Sequence, residues 1–194
     1  SDGYKWTIEP GTRIEHGSTS EFDFEAGEPE AILGVDGKYY MAYTGRQPVG
    51  PKLSAPFYHK ILFGVSGDGL NWVKLGRSFS DPTRRDGFAS SADIIIVDGT
   101  YVMYYTGGVG IYKAASSDAV NWVRRGPVYD NLGHDSATVY VNGTYYMFFK
   151  APSNFGPTVS EEDDLFMAIS PDGLNWPNRL HRLVVKATNG SDIS

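Results

Sequence analysis

The sequence predicts an all-β protein, a β-propeller of four-stranded antiparallel blades, and three of its features support this fold class. A turn motif that ends in tryptophan recurs along the chain, and a hairpin motif recurs between its copies. Tyrosine and phenylalanine are abundant, with 13 and 10 residues among 194, which favours short strands over long helices. Repetition at a period of roughly 40 to 50 residues is the sequence signature of propeller blades.

The tryptophan motif accounts for all four tryptophans of the chain. Three copies occupy residues 66–73, 117–123 and 170–176, and each carries an aspartate followed by an Asn-Trp pair. A fourth copy, residues 1–7, opens the chain. We interpret the motif as the turn into the last strand of a blade, with its tryptophan packed between blades rather than placed in a binding site.

The hairpin motif lies at residues 35–44, 97–106 and 141–149, where Asp-Gly or Asn-Gly is followed by an aromatic run. Both central residues of such a tight turn adopt positive φ, which Asn, Asp and Gly tolerate. An apolar run precedes each turn, so each copy predicts the first two strands of a blade.

Together the two motifs divide a single domain into blades at approximately residues 20–80, 81–129 and 130–177. Partial strands remain at both ends, and residues 178–194 are too few for another blade. Because an open run of blades leaves sheet edges unprotected, we expect part of a larger propeller or a ring completed by a second chain. A homo-oligomer and a missing segment both fit this arrangement.

The composition argues against several classes of partner. The formal net charge of −6 disfavours nucleic acid, and no apolar run is long enough to predict a membrane span. The chain has no cysteine, hence no disulfide and no thiol nucleophile. No phosphate-binding loop or Cys/His metal spacing is present. We expect no required cofactor, with a calcium ion in the central channel as an alternative, and a secreted or periplasmic location is favoured.

Three segments carry a resemblance to a known superfamily. They are Glu28–Ile32 running on to Thr44, Asp135–Val139 running on to Phe149, and the stretch Ala168–Trp176. This pattern resembles the five-bladed propeller glycosidases, namely glycoside hydrolase family 43 and its relatives in families 32, 62 and 130. The resemblance covers nearly the whole chain and implies a carbohydrate substrate.

In these relatives the catalytic acids sit at the start of each blade's innermost strand, around the central channel. The resemblance therefore implies Glu28 and Asp135 as the acid–base pair, with Asp93 orienting them or tuning a pKa. The family order is Asp, Asp and Glu, whereas this chain offers Glu, Asp and Asp. Counting back from the hairpin turns aligns Asp135 with Ser91 and Pro29. Hydrolysis of a glycoside needs one carboxylic acid and one carboxylate, and the resemblance favours inversion.

Further side chains near these acids are candidates for substrate binding. Aspartates recur before each inner strand in step with the repeat, and they fit either a structural turn or the channel lining. His134 adjoins Asp135 and fits a sugar contact or a structural role, and aromatic residues in two long loops fit stacking on sugar faces. The candidate substrate-binding residues are Asp23, Asp86, His134, Arg85, Phe57 and Tyr58.

Three hypotheses follow. The first is a glycoside hydrolase that acts on poly- or oligosaccharides through paired carboxylates. The second is a carbohydrate-binding propeller without catalysis, which uses the same channel to hold a glycan. The third is an interaction module whose blades pair with another chain. Acids within catalytic distance of each other favour the first hypothesis, and an incomplete ring favours the third.

Overall fold

The computed structural model describes residues 4–48, 57–152 and 163–183. Within these ranges it contains twelve β-strands and one 3₁₀ turn at Arg85–Gly87. The strands are β1 Glu25–Leu33, β2 Tyr39–Pro48, β3 Phe57–Ser66, β4 Trp72–Phe79, β5 Ser90–Val97, β6 Thr100–Thr106, β7 Gly110–Ser116, β8 Val123–Asp130, β9 His134–Val141, β10 Thr144–Pro152, β11 Asp163–Ser170 and β12 His181–Arg182. In the described part of the chain, no helix is long and apolar enough to cross a membrane.

The strands form three four-stranded antiparallel sheets, each in simple chain order. Blade 1 contains β1 to β4, blade 2 contains β5 to β8, and blade 3 contains β9 to β12. The first strands of neighbouring blades contact each other, β1 with β5 and β5 with β9. They therefore form the inner edge on which the blades converge, as in a propeller. The predicted fold class is confirmed.

The core lies between the blades, and the alternation of side chains along β6 explains why this strand is apolar throughout. Tyr101, Met103 and Tyr105 pack towards blade 1. Val102 and Tyr104 point to the other face and pack towards blade 3. Successive side chains of a strand point to opposite faces, so a blade with neighbours on both sides needs apolar residues at every position.

The repeated tryptophans connect each blade to the preceding one. Trp122 of blade 2 stacks on Phe63 of blade 1, with ring centroids 5.9 Å apart. Trp176 of blade 3 packs edge-on against Tyr104 of blade 2 at 5.8 Å. Its Nε1–H also donates to the Tyr104 hydroxyl at 2.9 Å. The predicted packing of the tryptophans between blades is confirmed for these two.

A buried aspartate ties the first loop of blade 2 to its last strand. Asp81 is fully buried and accepts hydrogen bonds from the hydroxyls of Tyr105 and Thr83, both at 2.7 Å. Arg124 of β8 completes the site, with Nε 2.9 Å from Oδ1 of Asp81. Burial disfavours the charge, but the hydrogen bonds from these three residues together lower the pKa of Asp81.

Blade 1 contains the same arrangement. Lys74 Nζ lies 2.5 Å from Oδ2 of the buried Asp23, and the Tyr43 hydroxyl donates to the same oxygen at 3.4 Å. Asp23 therefore corresponds in structure to Asp81, whereas the sequence spacing pairs it with Asp86. Each aspartate acts as an anchor between an inner-strand loop and the outermost strand.

The Asp81 anchor predicts a loss of stability in Asp81→Asn. The substitution leaves the Arg124 charge without its buried partner, so we expect the free energy of unfolding at neutral pH to fall by about 3–5 kcal/mol. Because the folded state lowers the pKa of Asp81, this contribution is present above the unfolded pKa of about 3.9 and is lost as pH falls below it.

Chemical denaturation between pH 2 and pH 8 measures both effects. Asp98→Asn is the matched control, because Asp98 is an exposed residue of a hairpin turn with positive φ that asparagine tolerates. Equal unfolding free energies for Asp81→Asn and the wild type at neutral pH would show that the anchor does not stabilise the blade.

Candidate active site

Each inner strand carries a bulge near its start that turns one side chain out of the regular alternation. The residues at this position are Glu28, Ser91 and Asp135, with φ of 51°, 48° and 54°. The register of the inner hairpin shifts at the same place in all three blades. Bulges re-aim side chains and are enriched next to active sites. A positive φ at three non-glycine residues in equivalent places indicates a functional position.

The register corrects the alignment obtained by counting back from the hairpin turns. Leu33 pairs with Tyr39 in blade 1, where five residues form the loop. In blade 2 the equivalent pair, Ile96 with Tyr101, encloses only four. The additional residue shifts the count by one, so Glu28 rather than Pro29 is the structural equivalent of Ser91 and Asp135.

The bulges of blades 2 and 3 are each held by a threonine of the preceding blade. The N–H of Ser91 donates to Oγ1 of Thr44, and the N–H of Asp135 donates to Oγ1 of Thr106, both at 2.9 Å. Thr44 and Thr106 occupy equivalent places in β2 and β6, opposite Gly27 and Ser90. These hydrogen bonds satisfy peptide groups that the bulge removes from the sheet ladder.

Blade 3 departs from this repeat at Lys150, which occupies the threonine position and pairs with His134. Its Nζ lies 2.9 Å from Oδ2 of Asp135 in the same blade. A departure from an otherwise consistent repeat is expected where function rather than folding selects the residue. The sequence shows this signal, since Thr44 and Thr106 align with Lys150 in the hairpin motif, but it was not used in the prediction.

The side chains at the bulges meet at one hydroxyl. Ser91 Oγ donates to Oε2 of Glu28 at 2.9 Å, and the Ser91 side chain also helps to lower the pKa of Asp135. Ser91 therefore lies beside both carboxyl groups. The structure therefore brings together Glu28 and Asp135, the pair that the resemblance implies, and adds Ser91 between them.

Cationic and imidazole groups surround the two carboxylates. Arg46 Nη2 donates to Oε1 of Glu28 and forms an ion pair with it. His59 pairs with Arg46 across β2 and β3, and its ring packs on Phe88 at 4.7 Å between centroids. Burial and then the charge of Arg46 lower the pKa of His59, which favours the neutral imidazole at neutral pH.

Asp135 is held as an anion. His134 Nδ1 lies 3.1 Å from its Oδ2. The hydrogen bond with His134, followed by those with Lys150 and Ser91, holds the pKa of Asp135 well below its usual range against the opposing effect of burial. This carboxylate therefore stays charged at neutral pH and can stabilise positive charge that develops beside it. His134 contacts Asp135 directly, and a sugar contact of His134 stays a prediction.

Asp93 and Glu30 form a second pair of carboxylates, further along the inner strands. Glu30 pairs with Ala42, and Asp93 pairs with Tyr104, which makes the two acids equivalent in their blades. Asp93 is only 4% exposed, and the Thr138 hydroxyl donates to its Oδ2 at 2.6 Å. Burial raises the pKa of Asp93. Burial and the charge of Asp93 raise the pKa of Glu30 to about 7.

The sequence reasoning named Asp93 but missed Glu30. The alignment counted from the hairpin turns is displaced by one residue in blade 1, so Glu30 did not align with Asp93. Aligning the inner strands at the bulge identifies Glu30, because Glu30 and Asp93 each lie two residues after the bulge position.

Three of the predicted substrate-binding residues make their contacts elsewhere. Asp86 has φ of 55° within the 3₁₀ turn, and its carboxylate lies 3.5 Å from Nε of Arg85. The side chain of Arg85 is 96% exposed. Asp23 is engaged in the buried anchor of blade 1. For these residues a binding role stays a prediction.

Phe57 and Tyr58 lie in β3 and not in a loop, which corrects their predicted location. They pair with Pro48 and Gln47 at the end of the β2–β3 hairpin. Tyr58 is half-buried and precedes His59, close to the Glu28 ion pair. The loop aromatic Phe155 lies outside the described residues.

In the ranges 4–48, 57–152 and 163–183, no three His, Asp or Glu side chains converge as a metal site would require.

A comparison with curated proteins finds a relative that acts on mannosides. The chain is 24% identical over 168 residues to a 1,2-β-oligomannan phosphorylase from Thermoanaerobacter sp. strain X514. The match covers 80% of this chain and 52% of the relative. No family model matches the sequence.

Solved structures with the same fold include both phosphorylases and hydrolases. The β-1,2-mannobiose phosphorylase of Listeria innocua, solved with β-1,2-mannobiose, superposes with a TM-score of 0.66 and 13% identity over 84% of this chain and 60% of that one. A family 117 glycoside hydrolase of Zobellia galactanivorans gives 0.63 and 18% identity over 87% and 60%.

This chain thus spans between about half and three fifths of the length of these relatives. The sheets that it aligns with are the blades of carbohydrate-active propellers. The chain shares the propeller fold of the glycosidase superfamily to which these proteins belong.

Proposed function

We propose that this chain carries the catalytic face of a propeller enzyme that cleaves glycosidic bonds in oligo- or polysaccharides. The observation that carries the proposal is the meeting of Glu28 and Asp135, from blades 1 and 3, at the Ser91 hydroxyl of blade 2. Two carboxylates on separate rigid blades form the constellation that glycoside cleavage needs. The names of the relatives favour a β-1,2-linked mannoside as the first substrate to test.

Asp135 acts as the base in this proposal. Ion pairing with Lys150 keeps it charged, so it accepts the proton of the attacking acceptor as that group bonds to the anomeric carbon. Glu28 is fixed by Arg46 and Ser91 and lies close enough to stabilise the positive charge that develops on the sugar ring. His134 and Ser91 offer hydrogen bonds to sugar hydroxyls at the same edge.

Phosphorolysis is the second candidate, and the cations favour it. Arg46 and Lys150 lie beside the two carboxylates that meet at Ser91. Arginine and lysine bind phosphate through charge-assisted hydrogen bonds, so an inorganic phosphate ion can replace water as the acceptor. The phosphorylase names among the relatives support the same reading.

We further propose that additional blades complete the channel, from a second copy of the chain or from a segment outside this sequence. The relatives are longer than this chain, and apolar side chains of blade 3 are exposed. Val139, Val141 and Leu165 are 46%, 49% and 36% exposed. In an assembled propeller such residues pack on the next blade.

Asp135→Asn tests the catalytic role. The substitution removes the charge of the base, so we expect kcat/KM to fall by roughly 10²- to 10⁴-fold while the protein stays folded. Sugar release is measured from β-1,2-mannooligosaccharides and a panel of aryl glycosides, with and without EDTA and Ca²⁺. Asp98→Asn on an exposed turn is the control. If the wild type cleaves none of these substrates, the proposed catalysis is wrong. Glycan binding without turnover would then support a sugar-binding propeller.

Lys150→Met tests whether phosphate is the acceptor and whether Lys150 sets the pKa of Asp135. If phosphate is the acceptor, formation of sugar 1-phosphate should require a phosphate concentration about tenfold or more higher, since a charge-assisted contact is lost. Lys150 lowers the pKa of Asp135, so its removal should move the acid limb of the rate profile to higher pH. Lys38→Met, on an exposed loop, is the control. An unchanged acid limb would show that Asp135 is not the titrating base.

A further inference from the structure

The carboxyl group of Glu30 differs from those of Glu28 and Asp135 in having no cation. Among residues 4–48, 57–152 and 163–183, it forms no ion pair and no hydrogen bond. It is half-buried on β1, and it follows Glu28 by two residues on the inner edge of blade 1. A carboxyl group in this setting lacks the partners that favour its charged form.

Asp93 supplies the nearest charge, and it is of the same sign. The acids occupy equivalent positions on neighbouring inner strands, and the charge of Asp93 acts on Glu30. Two such carboxyl groups titrate as a coupled pair. Asp93 accepts hydrogen bonds from the hydroxyl and the peptide N–H of Thr138. Those donors favour its charged form, but burial outweighs them and raises the pKa of Asp93 as well, so the pair of carboxyl groups retains a proton between them.

Exposure separates the roles of the two acids. Asp93 is 4% exposed and faces Thr138 of blade 3, whereas Glu30 is half-exposed at the inner edge. A general acid must reach within hydrogen-bonding distance of the oxygen that it protonates. Only the second of these side chains is accessible enough to meet a substrate in the channel.

We propose that Glu30 donates the proton to the leaving oxygen of the scissile glycoside, with Asp93 as the positioning carboxylate behind it. The inference rests on the proposed function and supplies the acid that Glu28 and Asp135, both in ion pairs, do not provide. Burial and Asp93 keep the pKa of Glu30 at about 7, near the value at which an acid is both protonated and able to transfer its proton.

Hydrolysis and phosphorolysis both break one bond at the anomeric carbon and form another. The bond between the anomeric carbon and the glycosidic oxygen breaks, its electron pair goes to that oxygen, and the oxygen takes the Glu30 proton. The acceptor oxygen forms the new bond to the anomeric carbon. A water acceptor loses its proton to Asp135, and solvent restores the proton on Glu30 after the products leave.

Leaving-group dependence tests the role of Glu30 directly. In Glu30→Gln we expect kcat/KM to fall by roughly 10²- to 10⁴-fold for oligosaccharides, whose leaving oxygen needs a proton, and by less than about tenfold for a dinitrophenyl glycoside, which does not. Glu25→Gln, on the exposed start of the same strand, is the matched control. If the wild type cleaves both substrates and Glu30→Gln is as active as the wild type on each of them, the inference is wrong. The proposed function still stands in that case.

A titration provides a measurement that needs no activity. The ¹³C carboxyl resonance of Glu30, assigned by its loss in Glu30→Gln, should titrate near pH 7 in the wild type. In Asp93→Asn the midpoint should fall, because the repelling charge is gone, and the basic limb of the rate profile should fall with it. A midpoint in the ordinary glutamate range of about 4.3, or no change in Asp93→Asn, overturns the inference whether or not the chain cleaves glycosides.

Discussion

The arrangement of the inner edge depends on one hydrogen bond that is repeated from blade to blade. A threonine hydroxyl accepts the N–H of the residue at the bulge of the following blade. Without that acceptor, the bulge would leave a peptide group unsatisfied in a crowded junction, which costs free energy comparable to a lost hydrogen bond. Because the acceptor belongs to the neighbouring blade, the direction of each bulge side chain is set by how the blades pack.

This constraint explains why acids of different blades converge although each lies on its own sheet. The bulge directs Glu28, Ser91 and Asp135 towards one another. Regular strand geometry resumes two residues after the bulge, where Glu30 and Asp93 occupy equivalent positions on β1 and β5. The inner edge thus carries two layers of carboxyl groups. Arg46 and Lys150 form ion pairs with the layer at the bulges, whereas no ion pair among the described residues involves Glu30 or Asp93.

The sequence was sufficient for the fold because the fold depends on local signals. The Asx-Gly turns and the Asn-Trp turns each specify a hairpin by their own backbone requirements, and the period between them specifies blades. The site was only partly predictable. Asp135 and Glu28 were found through the resemblance, but one additional loop residue before Tyr39 displaced the alignment of blade 1. Neither Ser91 nor Glu30 is conspicuous in sequence, since their importance arises from a bulge that places Glu, Ser and Asp at one position.

The anchors of blades 1 and 2 have a consequence for how the protein assembles on synthesis. Asp81 precedes β5 and its partner Arg124 lies in β8, 43 residues later, and Asp23 and Lys74 are separated by 51. Each buried aspartate therefore lacks its counter-charge until the outermost strand of its blade has left the ribosome. A blade becomes favourable as a complete unit rather than strand by strand, which makes the blade the natural increment of folding. Blade 3 has Phe149 where the other two have the anchoring tyrosine, and Phe149 packs in the core that blade 3 shares with blade 2.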